Sequence, residues 1–227
     1  MSDDALGALG RPMTEYPTAR DFARLVLSRP YRETVKAQVF EGVPFVFRHT
    51  PQTLDVLRGH LASELGLEPA NILVVGSART GFSLNPDRFP RGFSDNSDID
   101  ILAVDEGLFD EIWATLLRWH YPRRLQHLGK VVGDWAQRRR KDVYWGWFDP
   151  HQIGFTGLSY PNELLPIRDF STRWFNAFQS LPQHCEHAEL VRREISGRLY
   201  RTWNHAYLYH EESLRVLRSR LHTRPGA

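Results

Sequence analysis

The chain predicts an α+β fold, a mixed sheet packed with helices and followed by a helical C-terminal segment. Three observations carry that prediction. Two short apolar runs, 72–75 and 101–104, have strand length and are separated by a Gly- and Pro-rich stretch. Apolar residues recur at helical spacing before, between and after these runs. The 227 residues, 41% hydrophobic and 25% charged, suffice for one substantial domain with a helical annex.

Taken in order, residues 1–15 read as a leader. Residues 17–41 read as a helix capped by Thr18, with Phe22, Leu25, Val26, Val35 and Val39 as apolar anchors and a break at Pro30. The run 43–47 after Gly42 reads as an edge strand. A helix over 51–65 follows, with Thr50 as N-cap, Pro51 in its first turn, Leu54, Leu57 and Leu61 as its buried stripe and Gly66 as its stop. The strand 72–75 is apolar at every position, the pattern of a sheet covered on both faces. Ile99 and 101–104 form the next strand, 108–119 a helix, and helical signal continues over 125–140. Residues 143–148 read as an aromatic strand, a loop runs to about Asp169, and 172–221 reads as helical with a break near Pro182. The expected organisation is a helical leader (1–41), a core (42–170) and a helical C-terminal region (171–227).

No apolar run approaches the roughly 20 residues that span a bilayer, so no membrane association is expected. The start, MSDDALGALGRPM, lacks the basic and apolar regions of a secretory signal. A single cysteine, Cys185, excludes an internal disulfide framework and points to a reducing, cytoplasmic setting. The net charge of +2 is unevenly spread. Residues 1–110 hold 11 Lys/Arg against 16 Asp/Glu, and residues 111–227 hold 18 against 11. An acidic half joined to a basic half suits a polyanionic partner, and solvated basic helices explain the same asymmetry.

The chemistry concentrates between Asn71 and Asp105. An apolar strand ends in Gly76-Ser77, and the next strand opens with Asp98 and Asp100. Residues i and i+2 of a strand share a face, so the two carboxylates point together and Ile99 points into the opposite layer. Carboxylates held that close repel one another unless a cation or proton lies between them. A divalent ion bridging to phosphate oxygens is the economical reason for the pair. Gly76 allows a sharp turn and close approach of a phosphate, and the Ser77 hydroxyl can donate to it.

Val75-Gly76-Ser77 followed by Ser97-Asp98-Ile99-Asp100-Ile101 resembles the signature of the nucleotidyltransferase superfamily related to DNA polymerase beta. That resemblance implies a nucleotidyltransferase-like mixed sheet and transfer of a nucleoside monophosphate from a nucleoside triphosphate to a hydroxyl acceptor. It implies that Gly76 and Ser77 hold the triphosphate and that Asp98 and Asp100 bind two divalent ions, magnesium or manganese. A third carboxylate on a neighbouring strand would complete the set. Asp142 is its first candidate and Asp149 its second, at the two ends of the aromatic run. A chain lacking that third acid would bind nucleotide or nucleic acid without turning over.

The loop between the motif halves is long and carries Arg79, Arg88 and Arg91. These either meet phosphates, Arg79 being nearest the turn, or pair with Asp87 and Asp95. The acceptor is open between RNA, protein and small molecules, and oligomeric state is not legible. The alternative function is a catalytically inactive interaction or regulatory protein of the same fold, in a toxin–antitoxin or phage-defence setting. The run Arg138-Arg139-Arg140-Lys141 reads either as a backbone-binding patch or as a charged helix end. Trp145, Trp147 and Phe148 read as core packing ahead of base stacking, and the Arg198/His205 spacing fits an HEPN ribonuclease pair only loosely.

Overall fold

The computed structural model describes residues 16–124, 130–150, 161–185 and 187–223. Helix α1 (Ala19–Ser28) starts where the Thr18 hydroxyl accepts from the Asp21 amide at 3.1 Å, and it stops before Pro30. Helix α2 (Tyr31–Thr34) runs on into a π-helical turn, Val35–Phe40. Helix α3 (Gln52–Leu65) ends at Gly66, whose φ of 71° is the left-handed conformation that favours glycine. Strand β1 (Ile72–Val75) leads into the short helix α4 (Gly76–Thr80), and strand β2 (Ile99–Val104) into α5 (Glu106–His120). The Asp105 carboxylate caps α5, accepting from the Leu108 amide at 2.7 Å. Then come α6 (Lys130–Tyr144), β3 (Trp147–Phe148), α7 (Leu165–His184), α8 (Ala188–Arg192), β4 (Ile195–Tyr200) and α9 (Trp203–Thr223).

Among the described residues the sheet has four strands in the order β1-β2-β4-β3. β2 runs antiparallel to β1 and parallel to β4, and β3 closes the other edge antiparallel to β4. Alternation along the strands sorts the core into two layers. Ile72, Val74, Ile99, Ile101, Ala103, Phe148 and Leu199 face α3, α5 and α7. Leu73, Val75, Leu102, Val104 and Tyr200 face α1, α2 and α9. Each fully buried Leu, Ile, Val or Phe in these layers contributes about 1.5–3 kcal/mol. A sheet covered on both faces is what the unbroken apolar runs require.

Several expectations need correction. Residues 43–47 form no strand: Pro44 offers no amide to a ladder, and Phe45–Phe47 coil into a 3-10 turn that buries Val46 and Phe47. Thr50 does not cap α3 with its side chain, since its hydroxyl is bonded to His187 Nε2 at 2.8 Å. The aromatic strand is only two residues long. Val143 and Tyr144 complete α6, and Asp142 therefore lies on a helix. Helix α7 begins at Leu165 and passes through Pro182 without breaking. The largest difference lies in 171–227, expected to be helical throughout, which supplies β4 between β2 and β3. Residues 1–15 and part of the 149–169 loop, namely 151–160, lie outside the described residues, as do 125–129 of the expected helix.

Candidate functional site

The cover over the second face of the sheet stops short of the C-terminal end of β1. There a cleft of about 580 Å³ opens, lined by β1, β2, β4, α9 and the long loop between α4 and β2. Its floor is set by strand register. Val75 lies opposite Asp100 on β2, and Asp100 lies opposite Ser196 on β4. Ser196, Arg198 and Tyr200 alternate with inward residues of β4 and line the same cleft.

Gly76 turns the chain with a φ of 65°, and a Cβ there would stand 2.4 Å from Asp100 Oδ2. The Asp100 carboxylate thus rests on bare backbone at the end of β1, a contact that only glycine permits. Ser196 Oγ donates to Asp100 Oδ1 at 3.1 Å. Burial pushes the Asp100 carboxyl above the ordinary carboxylate range. The Ser196 hydrogen bond and the Arg198 charge oppose that rise, and the Asp98 charge adds to it. Asp98 immediately precedes β2, exposed at the mouth of the same cleft, while Ile99 between the two acids is fully buried on the far face.

The loop from Gly81 to Phe93 forms the opposite wall. It is closed by the Ser83 amide on the Arg91 carbonyl at 2.8 Å and the Phe93 amide on the Gly81 carbonyl at 2.8 Å. Phe82, Leu84 and Phe89 bury its underside. Arg88 and Arg91 line the cleft. The acids beside them in the loop are engaged elsewhere, Asp87 with Arg220 at 2.6 Å and Asp95 with Arg193 at 3.6 Å.

The sequence-selected residues divide accordingly. Gly76, Ser77, Asp98 and Asp100 meet in the cleft, with Arg88 and Arg91 across from them. Arg79 does not reach it. Its side chain is buried and donates to the backbone carbonyls of Val43 and Glu41, tying the N-terminal segment to α4. Asp142 does not reach it either. It is buried on α6 as an ion pair with Arg139, 3.2 Å apart but without aligned hydrogen-bond geometry at Oδ2. Asp149 does line the cleft. It follows β3, however, two strand spacings or about 10 Å from the β2 acids, with Arg198 on the strand between.

Sequence reasoning did not place Ser196, Arg198, Tyr209 or His210 in the cleft that they line, and weighed Arg198 only with His205. The polar–apolar alternation of ISGRLY was the available signal for the first two. Arg198 Nη1 donates to the Tyr209 hydroxyl at 2.6 Å, and its guanidinium lies 5.1 Å from the Trp147 and Tyr209 ring centres. His210 is buried against Phe40 and Tyr209, and desolvation, then the Arg198 charge, pushes its pKa down to about 3.

Among the described residues, no three His, Cys, Asp or Glu side chains converge as a metal site of their own. Magnesium commonly takes one or two carboxylates and completes its shell with water and substrate phosphate oxygens. Asp98 and Asp100 fit one such ion. They do not fit two, because the strand beside them presents Ser196 and Arg198 where another acid would be required.

The remaining signals are spread over the fold. Arg139 of the basic run turns inward to Asp142, while Arg138, Arg140 and Lys141 are exposed on α6. Phe148 packs in the core, Trp147 packs against the second layer, and Trp145 is exposed. Arg198 and His205 lie on different elements, a strand and a helix. No described helix is long and apolar enough to cross a membrane. Comparison with protein-family models, curated proteins and solved structures finds no match.

Proposed function

We propose that the chain is a nucleotidyltransferase of the polymerase-beta type, which binds a nucleoside triphosphate in the cleft and passes a nucleoside monophosphate to a hydroxyl of an RNA or protein. The observation that carries the reading is the Asp100 carboxylate resting on the Gly76 backbone, with Asp98 beside it and the loop arginines opposite. In this reading Asp98 and Asp100 hold magnesium or manganese. When bound, the ion supplies Lewis-acid polarisation of the reacting phosphate and charge neutralisation of the leaving group. Ser77 donates to a phosphate oxygen, and Arg88 and Arg91 hold the outer phosphates. The acceptor oxygen forms its bond to the α-phosphorus as the bond to the pyrophosphate oxygen breaks. The hydroxyl proton leaves to solvent at the open mouth.

The test is transfer of label from α-labelled nucleoside triphosphates to cellular RNA and protein, with magnesium or manganese. Label is expected on one acceptor class and absent with a folded Asp98→Ala/Asp100→Ala variant. Undiminished transfer by that variant overturns the assignment. One observation favours a second reading, a nucleotide-binding regulatory module without turnover: β4 brings no carboxylate beside Asp100. Tight triphosphate binding with no transfer to any acceptor selects that reading.

A further inference from the structure

We infer that Arg198 grips the polyphosphate of the bound nucleotide and that the cleft works with one divalent cation and this guanidinium in place of two cations. The inference rests on the nucleotide reading above and deepens it.

The register places Arg198 two residues along β4 from Ser196, which is itself bonded to Asp100. That is about 7 Å along the strand from the level of Ser196 and Asp100, on the same face. The strand neighbouring a metal-binding acid pair is where a further ligand would have to come from, and here it delivers a fixed positive charge. Arg198 is not a loose surface arginine. Its head is pinned by the Tyr209 hydroxyl at 2.6 Å and lies close to the rings of Trp147 and Tyr209. A guanidinium carries five donors in a fixed fork, so holding Tyr209 and Tyr200 beside the Asp149 charge still leaves donors for phosphate oxygens. Pinning also removes most of the entropy cost of ordering the side chain on binding.

Formal charge supports the same arrangement. The charged residues lining the cleft are Arg88, Arg91 and Arg198 against Asp98, Asp100 and Asp149. The three arginines balance the three carboxylates, so one bound divalent ion leaves the cleft positive toward a polyanion. His210 stays neutral beside Arg198 and adds nothing to this balance at pH 7.

The experiment measures binding to the full chain of the α,β-methylene analogues of ATP, GTP, CTP and UTP with manganese, by calorimetry and by electron paramagnetic resonance. The wild-type chain is expected to hold one manganese ion per nucleotide. Arg198→Gln is expected to weaken the analogue by about 10- to 100-fold, and Arg198→Lys to recover part of that loss. The deficit should shrink for the corresponding nucleoside monophosphate, a contrast that a general loosening of the fold would not produce. Two manganese ions per bound nucleotide in the wild type overturn the inference whether or not the variants fold. Equal affinity of folded Arg198→Gln and wild type also overturns it, leaving the nucleotide reading intact. No binding of any analogue by the wild type removes both.

Discussion

Asp100 and Asp142 are both acids largely withdrawn from water, and burial pushes both carboxyls above their ordinary range. Their surroundings differ. Asp142 is answered inside the protein by Arg139, with the two side chains only 9% and 10% exposed, and it does not line the cleft that holds Asp100. Asp100 is answered by the Ser196 hydroxyl and the Arg198 charge, rests on a glycine backbone and faces an open cleft. A raised proton affinity therefore does not by itself mark a site. What marks Asp100 is that its compensation is incomplete on the side facing the cleft, where a cation can enter. The same contrast explains why Asp142, attractive in sequence as a flank of an aromatic run, serves stability.

The sharpest way to break this comparison is to neutralise each acid in turn. Asp142→Ala strands the buried Arg139 guanidinium and is expected to cost about 3 kcal/mol. For a chain of this size that lowers the thermal midpoint by roughly 6–12 °C. Nucleotide affinity per folded molecule should be unchanged. Asp100→Asn should do the reverse, keeping or slightly raising the midpoint, because it removes a poorly compensated charge, while abolishing cation-dependent nucleotide binding. Calorimetric melting beside nucleotide titration reads both. An Asp100→Asn chain that melts as early as Asp142→Ala would erase the distinction.

His210 extends the comparison to a buried base in the cleft wall. Its folded pKa of about 3 lies below the unfolded value near 6.5, so between those pH values the unfolded chain binds the extra proton. Stability conferred by the neutral ring is full above pH 6.5 and falls as pH drops toward 3, by about 3 kcal/mol at pH 4. Between pH 7 and pH 4.5 the urea midpoint of the wild type should fall further than that of His210→Phe. Parallel acid loss in both chains would mean the imidazole is not held neutral.

A smaller effect is expected at Gly76. Gly76→Ala forces a side chain into a left-handed backbone and against Asp100 Oδ2, costing about 1–2 kcal/mol and displacing the carboxylate. Nucleotide affinity should fall more steeply than stability, which distinguishes a contact that shapes the cleft from one that only holds the fold.

How much of this was legible beforehand follows from what each signal encodes. The i, i+2 acids, the Gly-Ser turn and the unbroken apolar strands are local patterns with one dominant structural solution, and the cleft floor inherits them. β4 was overlooked although Ser196 and Arg198 alternate with Ile195 and Leu199, because Gly197 interrupts its apolar face and because the segments around it, 188–192 and 203–223, are helical. Its placement is a tertiary matter: Gly197 is needed where a Cβ would stand 2.6 Å from the Ile101 carbonyl and 3.0 Å from Trp174. Arg79 misled for a related reason. Nearness in sequence to the turn says nothing about the side chain's direction, and one helical step carries it to the carbonyls of Glu41 and Val43. Arg88 and Arg91 were visible as charges, but their reach into the cleft depends on how the loop folds back on itself.

The smallest expected effect tests that loop. Arg220 on α9 meets Asp87 at 2.6 Å, with side chains 46% and 69% exposed, which caps its contribution to stability below about 1 kcal/mol. The bridge nevertheless fixes the segment that carries Arg88 and Arg91 against α9. Arg220→Ala should leave the thermal midpoint within roughly 2 °C of the wild type while weakening triphosphate binding a few-fold at low salt. Raising the salt to physiological strength should close most of that gap, because an exposed pair is screened over about 8 Å. A variant that binds like the wild type at low salt would show that the apolar underside of the loop, Phe82, Leu84 and Phe89, suffices to hold the arginines in place.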